Sequence, residues 1–240
     1  MEIGKRILIT GGTTGIGREI AILLASKGAK VLITGRHQEQ IDETLNAMDG
    51  AQGSGYGIAA DLAEEAGIRK IFAYADQELG GLNCLVNNAA LAYQSIMEGS
   101  YKDWQYIVNT NLLGYMACVH EAVKRMETAG EGHIINIGSM SADVRESNSS
   151  VYVATKSGIQ GFSEALRKEL NPKGIKVSLI EPGAVDTDMQ EGSEEEKLQK
   201  IANQEMIPAR EIAAAVLYCL DQPKHTDIVN IKIRPHLQLI

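Results

Sequence analysis

The amino-acid sequence predicts an α/β fold: a doubly wound (Rossmann) parallel sheet of about seven strands, in a single domain that spans 1–240. Short apolar segments alternate with longer segments of helical periodicity along the chain, which is typical of consecutive βα units. The apolar segments are continuous, as expected for strands that are buried on both faces of a parallel sheet. A glycine-rich turn joins the first strand to the first helix, as in dinucleotide-binding folds.

The predicted elements follow one another in regular alternation. The predicted strands lie at 6–10, 29–34, 55–60, 83–87, 132–138, 176–180 and 228–233. The predicted helices lie at 15–27, 38–48, 64–79, 102–128, 151–170 and 209–220. A polar segment at 187–206 follows the sixth strand, on the carboxyl side of the sheet. Since ligands bind at that edge, we expect a substrate lid there, and a solvated surface helix is the alternative.

The bulk composition argues against several classes of function. The net charge is −8 and aromatic residues make up 5%, so neither a nucleic-acid footprint nor attraction to anionic membranes is expected. No uncharged stretch reaches the roughly 18 residues of a membrane helix, and the first residues do not resemble a signal peptide. We therefore expect a cytoplasmic protein with no nucleic-acid or membrane partner.

The cysteines and histidines show no spacing that indicates a metal site. The three cysteines, Cys84, Cys118 and Cys219, are widely separated and lie in apolar segments, so we expect buried, reduced thiols. The five histidines are scattered along the chain, and none has a second ligand at metal-binding spacing. The sequence therefore predicts no metal.

The glycine-rich turn is the first candidate binding element. Its sequence is Thr10-Gly11-Gly12-Thr13-Thr14-Gly15-Ile16-Gly17. Glycines allow the backbone to approach a pyrophosphate, and the free N–H groups of a helix N-terminus favour an anion. Such turns also occur without a ligand, but this one closes the first strand and opens the first helix of a βαβ unit. We therefore expect it to hold a dinucleotide.

The end of the second strand indicates which dinucleotide is bound. Sites for NAD usually carry an acidic residue there, which binds the ribose 2′-hydroxyl. The sequence Thr34-Gly35-Arg36 contains no carboxylate, and Arg36 offers a guanidinium that can bind a 2′-phosphate through two hydrogen bonds. This favours NADP(H), the alternative being that Arg36 is a solvated loop residue.

The helix predicted at 151–170 carries a candidate catalytic pair. Tyr152 and Lys156 stand four residues apart, so their side chains lie on one helix face. A free tyrosine, with a pKa of about 10, is a poor base at pH 7, whereas a nearby cation lowers that pKa. Most such pairs are surface neighbours, but carbonyl reduction needs a proton donor of this kind beside the hydride acceptor.

Two further polar residues are candidates for the same site. Ser139 follows the fifth strand, at the same sheet edge as the glycine-rich turn, and can hydrogen-bond a substrate oxygen. A turn or N-cap role is the alternative, and Ser141 is a nearby rival. Asn111 lies in a helical run three residues before Gly114, which disfavours a regular helix. A water or a kinked turn at the site would offset that cost.

Together these residues resemble the motifs of the short-chain dehydrogenase/reductase family, over essentially the whole chain. The motifs stand in the family's order and spacing: Thr10-Gly-x3-Gly15-x-Gly17, Asp61-Leu62, Asn87-Asn88-Ala89-Ala90, Asn111, Ser139, Tyr152-x3-Lys156 and Pro182-Gly183-x-Val185-x-Thr187. Two positions depart from the usual pattern. Ala90 replaces a glycine and Gly138 replaces a frequent serine, and neither change removes a functional group.

The resemblance implies an oxidoreductase that transfers a hydride between NADP(H) and the carbonyl or alcohol of a small molecule. It implies that Tyr152 passes the proton, that Lys156 holds the nicotinamide ribose and lowers the tyrosine pKa, and that Ser139 orients the substrate carbonyl. Asn111 would anchor a water in the proton relay. The implied cofactor-binding residues are Thr10, Gly11, Thr13, Thr14, Gly15, Ile16, Gly17, Arg36, Asp61, Leu62, Asn88, Ala89, Ala90, Tyr152, Lys156, Pro182, Gly183, Val185 and Thr187.

Within that set the resemblance assigns regions of the dinucleotide. Asp61 and Leu62 would contact the adenine, and Val185 and Thr187 would contact the carboxamide. The family also implies a homodimer or homotetramer that pairs through the helices carrying Asn111 and Tyr152. The ending at 229–235 resembles the subgroup that oxidises 3-hydroxy acids or reduces small aldehydes and ketones.

Two other functions remain open on sequence grounds. A catalytically silent protein that senses NADP(H) would use the same fold, although it would be expected to lack Tyr152 or Lys156. An epimerase or dehydratase acting on a nucleotide sugar would need an added substrate domain.

The polar segment at 141–150 suggests a polar or anionic substrate that meets Arg145.

Overall fold

The computed structural model describes residues 4–93, 95–190 and 192–238, so Glu191 in the predicted lid lies outside the described residues. The strands within these ranges are β1 (Arg6–Thr10), β2 (Lys30–Gly35), β3 (Ser54–Ala59), β4 (Cys84–Asn87), β5 (Gly132–Ile137), β6 (Ile175–Pro182), β7 (Val185–Asp186), β8 (Ile207–Pro208) and β9 (Asn230–Ile233). The helices are α1 (Gly15–Ser26), α2 (Gln38–Ala47), α3 (Glu65–Leu79), α4 (Tyr101–Val108), α5 (Gly114–Ala129), α6 (Ser141–Val144), α7 (Ser150–Leu170), α8 (Glu194–Ala202) and α9 (Ala209–Leu220).

Seven strands form one parallel sheet in the order β3-β2-β1-β4-β5-β6-β9. The chain runs outward from β1 to β3 and then crosses back to place β4 on the other side of β1. The direction of the strand order therefore reverses between β1 and β4, and the carboxyl ends of these strands border a crevice. The predicted doubly wound parallel sheet of seven strands is confirmed.

Helices cover both faces of the sheet, and strand β1 shows how the core is divided. Ile7 and Ile9 pack with Ile20 of α1 on one face, whereas Leu8 packs with Phe72 of α3 on the other. All five side chains are fully buried or nearly so. Since burying a large apolar side chain contributes about 1.5–3 kcal/mol, these two layers fix the position of β1 at the centre of the fold.

The two edge strands differ from the prediction that strands are buried on both faces. All residues of β3 are half-buried, and β9 alternates exposed and half-buried residues. An edge strand is paired on one side only and lies where the helix layers end, so part of its surface stays in water.

The helix predicted at 102–128 is interrupted in the structure. A π-helical turn at Asn109–Leu113 separates α4 from α5, and Asn111 is buried in its middle. Such turns insert one extra residue into a helix and bend the chain locally. An irregular turn of this kind is one of the two alternatives that the Asn111 and Gly114 pattern leaves open, the other being a water at the site.

The three cysteines are buried free thiols, as the sequence predicts. Burial raises the pKa of Cys84 and Cys118 to about 12, and that of Cys219 to about 11. A thiol that stays protonated is a poor nucleophile and a poor metal ligand, so these residues act in packing.

His133 is a buried titratable group at the start of β5. Its Nε2 lies 2.8 Å from Ser178 Oγ, and that hydroxyl donates to the carbonyl of Ile228 at 2.5 Å. Because the serine proton is already donated, His133 Nε2 must carry the hydrogen in this contact. Burial lowers the pKa of His133 from 6.5 to about 3, so the folded protein holds the ring neutral.

We expect this histidine to make the fold sensitive to mild acid. Below pH 6.5 the unfolded chain binds a proton at His133, while the folded protein does so only near pH 3. The free energy of unfolding should therefore fall by about 1.4 kcal/mol per pH unit in that window. Urea unfolding at pH 7, 6 and 5 measures the slope. His133→Gln should flatten it, with exposed His225→Gln as the control, and equal slopes in wild type and His133→Gln would contradict the prediction.

Candidate active site

A cleft of ≈ 1210 Å³ opens at the carboxyl ends of the strands, along the crevice between β1 and β4. Pockets for small ligands usually measure about 300–1,000 Å³, so this cleft has room for a dinucleotide beside a small substrate. The predicted site residues that line it are Gly11, Thr13, Thr14, Gly15, Ile16, Arg36, Asp61, Leu62, Asn88, Ala89, Ala90, Ser139, Tyr152, Lys156, Pro182, Gly183, Val185 and Thr187. Thr10, Gly17 and Asn111 lie behind its walls.

The glycine-rich turn forms a tight cradle at one side of the cleft. Gly11 has a φ of +63°, and a Cβ there would lie 2.7 Å from Ala89 Cα. A Cβ on Gly17 would lie 2.1 Å from the carbonyl oxygen of Gly11. Only glycine fits at these two positions, which explains the spacing seen in the sequence.

The N-terminus of α1 faces this cradle. Thr14, the N-cap residue of α1, makes no side-chain capping hydrogen bond within the described part of the chain, and the first turn of α1 carries no acidic residue. The first N–H groups of the helix therefore stay available, and the helix dipole favours an anion there. The cradle and the helix end together fit a pyrophosphate.

Thr10 and Asn88 fasten the cradle to the sheet from behind. Thr10 Oγ1 accepts hydrogen bonds from the backbone N–H groups of Asn88, at 3.0 Å, and Ala89, at 3.2 Å. Asn88 Nδ2 donates back to the carbonyl oxygens of Thr10, at 3.2 Å, and Gly11, at 2.9 Å. These bonds join the ends of β1 and β4, so Thr10 acts on the cleft through the backbone.

The end of the cleft bordered by β2 and β3 holds two opposite charges. Arg36 follows β2, and Asp61 follows β3. Both reach the hydroxyl of Tyr106 on α4: Arg36 Nη1 lies 3.2 Å away and Asp61 Oδ2 lies 2.8 Å away. The other carboxylate oxygen of Asp61 accepts a hydrogen bond from Ala63 N at 2.9 Å. Sequence reasoning missed Tyr106, whose partners lie far away along the chain.

The opposite end of the cleft holds Tyr152, Lys156 and Ser139. Helix α7 presents both members of the Tyr-x3-Lys pair to the cleft, and Lys156 Nζ lies 5.6 Å from the centre of the Tyr152 ring. The Lys156 ammonium is almost fully buried and donates to the carbonyl of Ile137 at 3.0 Å. Burial lowers the pKa of Lys156 to about 8, which leaves it mostly protonated at pH 7.

The pKa of the Tyr152 hydroxyl is raised in the structure, whereas the sequence predicts that it is lowered. Burial raises its pKa, a hydrogen bond with Ser139 lowers it, and the Glu146 carboxylate raises it further, with a net increase. The prediction that Lys156 lowers this pKa is not supported, because the lysine is itself buried and directed at Ile137. The structure therefore holds Tyr152 as a neutral phenol.

Asn111 acts on the cleft from inside the π-helical turn. Its Oδ1 accepts from the backbone N–H of Leu91 at 2.8 Å, and its Nδ2 donates to the carbonyl of Leu91 at 2.9 Å. Leu91 lines the cleft, so Asn111 fixes the wall after β4. The neighbouring Thr110 also lines the cleft, and its buried hydroxyl has no hydrogen-bond partner among the described residues.

The predicted contact between Arg145 and the substrate gains no support from the structure, because Arg145 is not among the residues that line the cleft. Arg145 has a φ of +56° at the end of α6, and its Nε donates to the carbonyl of Ala142 at 3.3 Å, so the guanidinium folds back onto its own helix. Glu146 lines the cleft instead and accepts a hydrogen bond from Ser141 Oγ at 3.2 Å. A carboxylate at this wall disfavours an anionic substrate group.

The segment predicted as a lid contains helix α8, which has no buried residue. Ser193 and Glu196 form a capping box at its start, with Ser193 N to Glu196 Oε2 at 2.7 Å and Glu196 N to Ser193 Oγ at 3.2 Å. Lys197 Nζ donates to the carbonyl of Thr187 at 2.7 Å. Lys200 lines the cleft, so this exposed helix lies at its mouth.

Other kinds of site are not found in the described part of the chain. Within residues 4–93, 95–190 and 192–238, no group of three or more His, Cys, Asp or Glu side chains could hold a metal ion. No helix in these ranges is long and apolar enough to span a membrane.

Comparison with known proteins agrees with this geometry. The family model described as short chain dehydrogenase matches residues 5–198. An uncharacterized oxidoreductase of Staphylococcus aureus (strain USA300) is 33% identical over 232 residues, which cover 96% of this chain and 97% of that protein.

Solved structures share the fold over nearly the whole chain. A dehydrogenase/reductase of Sinorhizobium meliloti 1021 superimposes with a TM-score of 0.86 at 29% identity, covering 96% of this chain and 93% of that one. A short chain dehydrogenase of Burkholderia cenocepacia J2315, solved in complex with NADP, gives 0.85 at 29% identity and covers 97% of both chains. The fold and these relatives define a protein of the oxidoreductase class. The chain belongs to the short-chain dehydrogenase/reductase family.

Proposed function

We propose that this protein is an NADP(H)-dependent oxidoreductase that interconverts a carbonyl and an alcohol on a small substrate. The observation that carries the proposal is the arrangement of Tyr152, Lys156 and Ser139 at one end of the cleft. Other parts of the same cleft fit the pyrophosphate of a dinucleotide and a ribose 2′-phosphate. The glycine cradle and the start of α1 would hold the pyrophosphate, and Arg36 would hold the 2′-phosphate.

The remaining residues of the cleft complete the proposed cofactor site. Asp61 and Leu62 border the proposed adenosine end, and Pro182, Gly183, Val185 and Thr187 border the proposed nicotinamide end. When bound, NADPH supplies the hydride. The buried Lys156 ammonium is a donor suited to ribose hydroxyls, and Asn111 keeps the adjoining wall in place through Leu91.

The protonation state of Tyr152 supports a role as general acid. Because its pKa is raised, the hydroxyl keeps its proton at pH 7 and can donate it to a developing alkoxide. Ser139, hydrogen-bonded to the same hydroxyl, would orient the carbonyl oxygen toward it. A neutral phenol suits reduction, whereas oxidation would require the phenolate and should be favoured at higher pH.

Two features of the family belong to the same proposal. We propose that 187–206 acts as a lid, since its residues Thr187, Asp188, Met189, Gln190 and Lys200 line the mouth of the cleft.

We also propose a homodimer or homotetramer that pairs through the face of α4, α5 and α7. Val108, Leu113 and Met116 are exposed apolar residues on this helical region.

The nicotinamide absorbance follows the proposed reaction in both directions: oxidation of NADPH or NADH by a panel of small aldehydes and ketones, and reduction of NADP+ or NAD+ by 3-hydroxy acids. Turnover on any member of the panel supports the enzyme. Tight binding with no turnover across the panel would favour the alternative of a binding protein.

Arg36→Ala is expected to weaken NADPH binding about 10- to 100-fold while leaving NADH binding within about twofold. A hydrogen bond to a charged group contributes about 1.5–3 kcal/mol, and only NADPH carries the 2′-phosphate. Dissociation constants from nicotinamide fluorescence measure the effect. Arg69→Ala, which removes an exposed arginine on α3, is the control. An equal loss for both dinucleotides, or none for either, would contradict the assignment of NADP(H).

A further inference from the structure

The hydroxyl of Tyr106 lies between the two charged groups at the proposed adenosine end of the cleft. Asp61 is 2.8 Å away and Arg36 is 3.2 Å away. A guanidinium can only donate and an ionised carboxylate can only accept. The phenol therefore donates its single proton to Asp61 Oδ2 and accepts a hydrogen bond from Arg36 Nη1.

This arrangement connects three separate elements of the fold. Arg36 follows β2, Asp61 follows β3, and Tyr106 stands in the last turn of α4. The backbone of Asp61 is held by the strand, and its Oδ1 is engaged with Ala63 N, so the carboxylate is a fixed point. Tyr106 is half-buried, whereas Arg36 is exposed. The tyrosine thus links the exposed Arg36 side chain to a carboxylate that is held in place.

An exposed arginine loses considerable rotamer freedom when it is held in one place. Arg36 has one side-chain hydrogen bond, to Tyr106, in the described part of the chain. Without the hydroxyl, the guanidinium could move into solvent or swing toward the free Asp61 carboxylate. Either movement would reduce its availability to an anion in the cleft.

We propose that Tyr106 is a positioning residue for cofactor selection, whose hydroxyl holds Arg36 toward the 2′-phosphate of NADP(H). This inference rests on the proposed function, in which Arg36 binds that phosphate. Tyr106 itself does not line the cleft, so its effect passes through Arg36.

The protonation state of Tyr106 is consistent with this role. Burial and the hydrogen bond to Asp61 raise its pKa, while Arg36 lowers it, with a net increase. The hydroxyl therefore remains protonated across the neutral range and keeps its donor to Asp61. Tyr106 can therefore keep both hydrogen bonds, to Asp61 and to Arg36, in the neutral range.

A double-mutant cycle tests the inference by binding alone. Dissociation constants for NADPH and NADH are measured by fluorescence for wild type, Tyr106→Phe, Arg36→Ala and the double variant. We expect Tyr106→Phe to weaken the binding of NADPH about fivefold and that of NADH less than about twofold, since binding must then order an arginine that Tyr106 no longer holds in place. In the Arg36→Ala background, Tyr106→Phe should have no further effect on NADPH.

The control is Tyr101→Phe, which removes an exposed hydroxyl from the same helix. Melting temperatures of all variants show whether the fold is kept. If Tyr106→Phe weakens both dinucleotides equally, or still weakens NADPH when Arg36 is absent, Tyr106 does not act through Arg36 and the inference is overturned. If Arg36→Ala alone leaves the NADPH to NADH ratio unchanged, the proposed cofactor assignment fails as well, so the two failures are distinguishable.

Discussion

Replacement of Tyr152 with phenylalanine is expected to lower the turnover number by about 10²- to 10⁴-fold, the usual contribution of a general acid. The change removes one hydroxyl from a residue that Ser139 contacts and that lies beside Lys156. The ring remains to fill the same space, so cofactor binding should change by less than about twofold. Steady-state turnover and the dissociation constant of NADPH, measured on the same preparations, separate the two effects.

The control for this prediction is Tyr218→Phe, which removes an exposed hydroxyl from α9 far from the cleft. It should leave turnover and binding unchanged. Undiminished turnover in Tyr152→Phe would show that another group passes the proton. A parallel loss of NADPH binding would show instead that Tyr152 shapes the cofactor site.

The raised pKa of Tyr152 changes the interpretation that a Tyr-x3-Lys pair suggests on its own. The spacing predicts a cation that promotes the phenolate. In the structure, however, Lys156 donates to the carbonyl of Ile137, and burial has the largest effect on the pKa of both residues. Desolvation penalises the charged form of each residue, so the tyrosine pKa rises while the lysine pKa falls. The pair thus favours a neutral acid beside a cation whose own pKa is reduced.

The features that were predictable from the sequence are those encoded by neighbouring residues. Apolar runs and helical periodicity predict the central strands and most helices, because burial on a sheet face or a helix stripe depends on local spacing. The glycine-rich turn is predictable because its motif lies within eight consecutive residues, although the close approach of Gly11 to Ala89 is a contact that the local pattern does not specify. The unfavourable Asn111 and Gly114 pattern also indicates an irregularity in the predicted helix, which the structure shows as a π-helical turn.

The direction of loop side chains was not predictable in this way. Arg145 and Glu146 are adjacent, and a left-handed residue at the end of α6 decides which of them faces the cleft. Tyr106 sits in an ordinary helical segment, and its partners lie 45 and 70 residues away in sequence. Contacts of this kind depend on how β2, β3 and α4 pack together, which no local pattern specifies.

Gly17→Ala is expected to disable the cradle that holds the proposed pyrophosphate. Alanine is the better helix former by about 1 kcal/mol, so propensity alone predicts a gain in stability at this position of α1. The new Cβ, however, would lie 2.1 Å from the Gly11 carbonyl oxygen and 2.5 Å from Asn88 Nδ2. The first of these is a backbone atom, so the turn itself must move, and the 2.9 Å bond between Asn88 and Gly11 would be disrupted.

The clash should outweigh the helix propensity. Overpacking of this kind costs about 1–3 kcal/mol, which lowers the melting temperature by about 2–12 °C in a chain of this size. Loss of one or more N–H donors to a charged ligand should weaken the binding of NADPH and of NADH to the same extent, by about 10- to 100-fold. This equal loss distinguishes the cradle from Arg36, whose removal affects NADPH alone.

Ser26→Ala, at the exposed last residue of α1, is the matched control and should change stability by less than about 0.5 kcal/mol. Thermal unfolding and fluorescence titration with both dinucleotides measure the two consequences. A Gly17→Ala variant with wild-type affinity and melting temperature would mean that the turn tolerates a side chain. The backbone approach inferred for the pyrophosphate would then have to lie elsewhere in the cleft.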